Sequence, residues 1–282
     1  MSNPCIVCGG SRITPLYSGI LTCSDCGYVF ADLALADEEF VRLYQHNYFH
    51  DGEYSDYCSD EQILRKNFKL RLKVLTKYLE PVRHKHLLEI GSAYGFFLDT
   101  AKDDFETVEG MDITAEGVQH AQQALGLDVR ETDFLEYDTS GRLWDVVCLW
   151  DTIEHLSRPD RYLEKVGKHT QPGALLAITT GDIESLTARI RKRHWRLIHP
   201  PTHAHYFSQK TLARLLDRHG FDVIYSRHCG FYRSIDQVAY SIIVGKWKMI
   251  GLYELLKKTR ITEMSFYLNL FDISYVIARK RC

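Results

Sequence analysis

Cys5, Cys8, Cys23 and Cys26 form two Cys-x2-Cys pairs separated by fourteen residues, and a glycine, Gly9 or Gly27, follows each pair. Thiolates paired at this separation close a tetrahedral site around zinc, and glycine suits the knuckle turn after each pair. A redox function needs only one such pair, so two matched pairs argue for metal. With all four thiolates engaged no position stays open for a substrate water, and the expected role of the metal is structural. Ribbons of this kind can bind nucleic acid. Residues 1–30, however, hold a single basic residue, Arg12, which is a poor surface for phosphates.

A second chemistry is carried by Gly91-Ser92-Ala93-Tyr94-Gly95 and the carboxylates that follow. Small residues at 91, 93 and 95 let the backbone approach a ligand without Cβ atoms in the way. Asp112 lies 21 residues beyond Gly91, about the spacing at which an acidic side chain reaches a ribose hydroxyl pair. Asp133, beside Phe134, is placed to meet an adenine amino group. A nicotinamide dinucleotide fits less well, because the last glycine comes two residues after Ala93 where G-x-G-x-x-G requires three.

The third candidate is the run Arg189 to Ser208, which contains His194, His199, His203 and His205. Histidine is the usual side chain for removing a proton near neutral pH. Its structural alternative is capping and backbone hydrogen bonding. A His-x-His pair is also a metal-ligand pattern, but no carboxylate or cysteine nearby in the sequence completes one. Arg189, Arg191, Lys192, Arg193 and Arg196 either grip a phosphate or carboxylate on a substrate or form a solvated helix face.

The elements that must position these groups follow from periodicity. Leu87, Leu88 and Ile90 suit a buried parallel strand entering the glycine turn, and Phe97, Leu98 and Ala101 suit the helix leaving it. Strand, small-residue turn and helix make the first unit of a doubly wound α/β fold, whose ligands sit at the carboxyl ends of the strands. Further strands are predicted at Thr107–Asp112, Asp128–Arg130, Trp144–Trp150, Ala174–Thr180, Phe221–Arg227 and Ile273–Arg279. Helices are predicted over 60–83, 117–125, from Pro159, and from a Ser208 cap to about His219. Residues 36–61 carry eight carboxylates and one arginine with Tyr44, Tyr48, Tyr54 and Tyr57, and either fold over the site as a lid or connect as a solvated segment. Between the last two strands, residues 231–270 form an insertion whose Val238–Leu256 stretch is amphipathic and interrupted by lysines. It is read as a helical pair on the sheet edge, with substrate cover, dimer contact or peripheral membrane contact as its alternatives.

Glu89-Ile90-Gly91-Ser92-Ala93-Tyr94-Gly95, Asp112-Ile113, Thr132-Asp133-Phe134 and Trp150-Asp151-Thr152-Ile153-Glu154-His155-Leu156, in this order, resemble the class I S-adenosylmethionine-dependent methyltransferases, nearest to the ubiquinone-type and polysaccharide-cluster branch. The resemblance covers roughly residues 60–282 and implies a seven-stranded Rossmann-like sheet. It implies that Gly91, Ala93 and Gly95 line the methionine end of the cofactor, with Glu89, Ser92 and Tyr94 also among the cofactor-binding residues. Asp112 and Ile113 would then serve the ribose, Asp133 and Phe134 the adenine, and Trp150 and Asp151 the neighbouring strand end. Ala93 departs from the glycine common at that position. The four-cysteine front, through Cys26-Gly27-Tyr28-Val29-Phe30, is similar to that of nucleotide-sugar C-methyltransferases, which are longer. Thr202-His203-Ala204-His205-Tyr206 is similar to their His-Glu-His stretch. Ala204 replaces the acidic residue, which favours O-methylation over C-methylation. His155 often borders the cofactor pocket in such enzymes.

At 282 residues, 45% hydrophobic and 26% charged, with a net charge of −2, the chain is expected to be a globular protein with no global attraction to nucleic acid. The first residues lack the basic and apolar regions of a signal peptide, and no uninterrupted apolar run is long enough for a membrane span, so a cytoplasmic location is expected. The resulting expectation is a zinc ribbon over 1–35, a connector and helix over 36–85, and a methyltransferase domain over 86–282. His203, His205 or His155 would act as base on a polar small-molecule acceptor, anionic or carrier-linked acceptors included. C- or N-methylation, an RNA or protein substrate read by the ribbon, and a non-catalytic zinc-stabilised interaction protein are the alternatives.

Overall fold

The computed structural model describes residues 4–33, 60–257, 259 and 264–282. The tyrosine-rich acidic segment, apart from its last two residues, lies outside the described residues. The cysteine-bearing front folds as three short antiparallel strands, β1 (Ile13–Tyr17), β2 (Ile20–Cys23) and β3 (Val29–Ala31). Gly9 and Gly27 take φ of +75° and +78° in the two knuckles, a conformation L side chains rarely adopt.

The main body follows in chain order. It comprises α1 (Glu61–Leu75), β4 (His86–Ile90), α2 (Phe96–Ala101), β5 (Thr107–Asp112), α3 (Ala115–Gln123), β6 (Asp128–Glu131) and β7 (Trp144–Trp150). It continues with α4 (Pro159–Lys168), β8 (Thr170–Gly181), α5 (Leu186–Arg191), β9 (His205–Tyr206), α6 (Gln209–Arg218) and β10 (Phe221–His228). β11 (Phe231–Ser234), α7 (Ile235–Ala239), α8 (Ile250–Lys257), β12 (Ser265–Leu268) and β13 (Ile273–Lys280) complete it. Seven strands make one sheet in the order β10-β13-β8-β7-β4-β5-β6, with β13 antiparallel to both neighbours. This is the predicted doubly wound α/β sheet.

Alternation along β4 divides the core. Leu88 joins one apolar cluster with Trp144, Phe207 and Phe221, while Leu87 joins the other with Phe97, Trp150 and Tyr275. The first cluster also contains Cys5, Val7, Cys23 and Tyr28. The ribbon shares a sheet with the body as well, since β3 pairs antiparallel with β9, Phe30 opposite His205 and Val29 opposite Tyr206. Fully buried Leu and Phe side chains each contribute about 1.5–3 kcal/mol, so this shared core ties the ribbon to the sheet.

Two predicted elements differ. The helix over 60–83 ends at Leu75 and passes through a 3₁₀ turn at Thr76–Tyr78. The Glu80 N–H then donates to His84 Nδ1, which turns the chain into β4 well before a helix of that length could end. The insertion is closed at its base by the antiparallel pair β11–β12. Above that pair, α7, a π-helical stretch (Tyr240–Lys246) and α8 replace a simple helical pair. Phe231, Tyr232, Phe266 and Tyr267 suit strands, and that local preference prevails over a longer helix.

Candidate active site

Four neighbouring parallel strands, β7, β4, β5 and β6, end on one edge of the sheet, and the predicted cofactor residues sit at those ends. Gly91 leaves β4 at φ +76°, and a Cβ there would come within 2.6 Å of the Thr152 side chain. Gly95, at φ +77°, would meet Leu127 at 2.8 Å and Ala121 at 2.9 Å. Both glycines are therefore required by conformation and by space. Ala93 takes φ 45°, a left-handed conformation that costs about 1–2 kcal/mol in an L residue. Its N–H is held by Asp112 Oδ2 at 2.7 Å, while Asp112 Oδ1 accepts from the Thr114 N–H at 2.9 Å. Asp112 thus staples the turn to the end of β5, and its burial raises the carboxyl pKa.

Glu89 is 2% exposed, and burial, followed by the charge of Asp112, raises its pKa well above the carboxylate range. Glu89 Oε2 and Ser92 Oγ are buried with no hydrogen-bond partner among the described residues. Orphaned polar atoms at a turn whose two glycines lack Cβ atoms fit a ligand that brings its own polar groups. Ile113 follows Asp112 half-buried. The Tyr94 ring stacks near Phe96, and its hydroxyl donates to Glu116 Oε1 at 2.5 Å. At the next turn Asp133 Oδ1 accepts from the Leu135 N–H and the Tyr162 hydroxyl. The Phe134 ring lies in the core between Trp144 and Tyr162, which leaves its backbone rather than its ring at the turn. An aromatic side chain beside Trp144 gains more by burial than by exposure, and adjacency in sequence gave no sign of that.

Beyond β7 the chain turns at Asp151, φ 51°, whose N–H donates to the Thr179 carbonyl. Asp151 Oδ2 accepts from Arg71 at 3.0 Å. Arg71 is 5% exposed on α1, its guanidinium carbon 4.7 Å from the Phe231 ring centroid and 5.9 Å from that of Trp150. No local pattern marks this arginine, because its partner is 80 residues away.

Glu154 and His155 follow in a 3₁₀ turn (Ile153–His155). The Ala204 N–H donates to the Glu154 carbonyl, which brings the histidine run against this turn. The His155 Nδ1–H donates to the Thr202 carbonyl and the His203 Nδ1–H to the Leu197 carbonyl, each at 2.9 Å. The two rings stand 4.5 Å apart edge to face. Glu154 and His203 are each 4% exposed, and both line a small pocket with Thr180, Gly181, Trp195 and Leu197. One donor atom each from Glu154, His155 and His203 lie within 4.8 Å of one another. Among the described residues nothing completes a set around the His203/His205 pair itself, but His203 comes together with His155 and with the Glu154 carboxylate, which lies in a 3₁₀ turn 49 residues upstream of His203.

His205 is placed differently. Its Nε2–H donates to the Leu156 carbonyl at 2.8 Å, and its Nδ1 accepts from the Tyr28 hydroxyl of the ribbon. Burial lowers its pKa to about 4. Within the basic run, Arg196 pairs with Asp272 at 3.1 Å, while Arg191, Lys192 and Arg193 are exposed.

In the ribbon, Cys5 Sγ lies 3.6 Å from Cys26 Sγ and Cys8 Sγ 3.6 Å from Cys23 Sγ. Four sulfurs at about 2.3 Å from a tetrahedral zinc lie roughly 3.8 Å apart, so the set fits that ion.

The methyltransferase domain family matches residues 59–226, and the chain belongs to that family. It has the Rossmann-like fold of the class I methyltransferases. A ubiquinone biosynthesis O-methyltransferase of Pectobacterium atrosepticum is 27% identical over 117 residues, 39% of this chain and 48% of that protein. The match therefore spans about half the length of this relative. Among solved structures, a SAM-dependent methyltransferase from Archaeoglobus fulgidus is similar at TM-score 0.54 and 21% identity, covering 81% of this chain and 100% of the other. The N-methyltransferase NodS of Bradyrhizobium japonicum, in complex with S-adenosyl-l-homocysteine, matches at TM-score 0.54 and 14% identity, covering 86% and 98%. Among the described residues no helix is long and apolar enough to cross a membrane.

Proposed function

We propose that this methyltransferase methylates an oxygen of a polar small molecule, a sugar, nucleotide-sugar or related glycan or natural-product precursor. The supporting observation is the pair His155 and His203 beside Glu154, one turn beyond the Asp151 end of β7. The carbonyls of Thr202 and Leu197 hold both Nδ1–H groups, which leaves each Nε2 as the basic nitrogen. The proton-accepting role is assigned to His203 or His155 on this tautomer, and His205, held by Tyr28 and Leu156, is given a structural role. The similarity to an O-methyltransferase agrees with an oxygen acceptor.

The bound cofactor supplies a methyl carbon on a positively charged sulfur. Gly91, Ser92, Ala93 and Gly95, with Glu89 beneath them, would hold its methionine end. Asp112 and Ile113 would serve the ribose, Asp133 and the Phe134 backbone the adenine, and Asp151, oriented by Arg71, the rim nearest the acceptor. Catalysis then consists largely of holding donor and acceptor in line, with proton removal at the histidine cluster. Cys5, Cys8, Cys23 and Cys26 would hold zinc as a structural clip behind β9.

The test is transfer of labelled methyl from S-adenosylmethionine into a fractionated host extract. Label in the small polar fraction is expected. Label in RNA or protein would overturn the reading and make the ribbon the recognition element.

A further inference from the structure

We infer that Glu154, His155 and His203 form a binding site for a divalent first-row transition-metal cation, placed to take the acceptor oxygen. This deepens the proposed O-methylation and rests on it for the identity of the acceptor.

The donor atoms of the three residues already lie within 4.8 Å of one another. Around a cation with bonds of about 2.1 Å, neighbouring donors stand roughly 3–3.5 Å apart, so a small inward movement of side chains completes the set. Two imidazoles and one carboxylate suit zinc, manganese, iron or cobalt better than magnesium or calcium, which take oxygen. Histidine ligands almost always donate their other N–H to a carbonyl or carboxylate, which fixes the ring and raises its basicity. His155 and His203 both have that arrangement, through Thr202 and Leu197. The Ala204 N–H to Glu154 carbonyl bond locks the two ligand-bearing segments together. The site is separate from the four cysteines, which form their own cluster.

Three protein ligands leave at least one position open, the pattern of a catalytic rather than a structural site. A hydroxyl bound there becomes more acidic and loses its proton to solvent. Its oxygen then forms the new bond to the methyl carbon, while the carbon–sulfur bond breaks with its electron pair left on the now neutral sulfur. His203 would thus act as a ligand, and the cation would replace an imidazole as the agent that acidifies the acceptor.

The experiment is an Mn2+ titration of the full-length protein, already supplied with one zinc per chain, with free Mn2+ followed by electron paramagnetic resonance. Wild type is expected to bind one further equivalent saturably. Glu154→Gln and His203→Asn are each expected to bind at least tenfold more weakly. S-adenosylhomocysteine affinity should hold within twofold in both, showing that the cofactor side is folded. If His203→Asn loses that affinity, His155→Asn, whose ring is half-buried, takes its place. No saturable Mn2+ or Co2+ binding to wild type, or unchanged binding in both variants, overturns the site. Failure of the O-methylation reading shows differently, as absence of label from the polar fraction while Mn2+ still binds.

Discussion

The Tyr28 hydroxyl hydrogen-bonds to Nδ1 of His205, a residue 177 positions further along the chain. The same contact joins the cysteine-bearing front to the strand that carries the histidine run, because Phe30 lies opposite His205 in the β3–β9 ladder. Cys26→Ser, or chelation of the metal that the four cysteines are proposed to hold, is therefore expected to lower kcat together with thermal stability. Cofactor affinity, which is expected to rest on the Gly91–Gly95 turn and Asp112, should change little. Unfolding scans and steady-state kinetics on one preparation check this, and a ribbon that can be stripped without loss of kcat would show that the front is only an appendage.

His203→Ala, which removes either the proposed base or a ligand of the inferred cation, should reduce turnover by about 100- to 10,000-fold, with little change in S-adenosylhomocysteine affinity. His205→Phe should act mainly on stability, since it removes hydrogen bonds to Tyr28 and Leu156 and no available base. Kinetics of the two variants side by side separate these roles. Full turnover in His203→Ala would return the chemistry to His155 alone.

Asp112→Ala should weaken S-adenosylhomocysteine binding at least tenfold, about 1.4 kcal/mol. The carboxylate that would meet the ribose also holds the Ala93 N–H and Thr114. Calorimetric titration reads the loss, and kcat at saturating cofactor should fall much less than affinity.

Asp99, at the start of α2, is bound by Arg65 from α1 at 2.5 Å and by Lys102 at 2.8 Å. Its partial burial alone would raise the pKa, but these two cations outweigh it and lower the pKa below the ordinary 3.8. An acid with a depressed folded pKa contributes stability above its unfolded value and loses it as pH falls through the folded value. Asp99→Asn is therefore expected to cost about 1 kcal/mol at neutral pH. The gap to wild type should persist down to about pH 4 and close below it. Denaturant midpoints between pH 7 and pH 2.5 test both sign and window.

The amino-acid sequence by itself determined the parallel strands, their turns and the residues at their carboxyl ends. Trp144–Trp150 and Thr107–Asp112 form as their apolar runs predict, and Ser208 caps α6 as expected. These features rest on period, turn conformation and capping, which act within a few residues and so leave a local pattern. Only the tertiary structure decided that the ribbon joins β9, that Arg71 pairs with Asp151, and that the Glu154-His155 pair meets His203. It also turned the Phe134 ring into the core and split the insertion between a strand pair and broken helices. Each of these depends on groups dozens to nearly two hundred residues apart, or on which face of a packed sheet has room. Such contacts form when the chain closes on itself, and no window of neighbouring residues contains both partners.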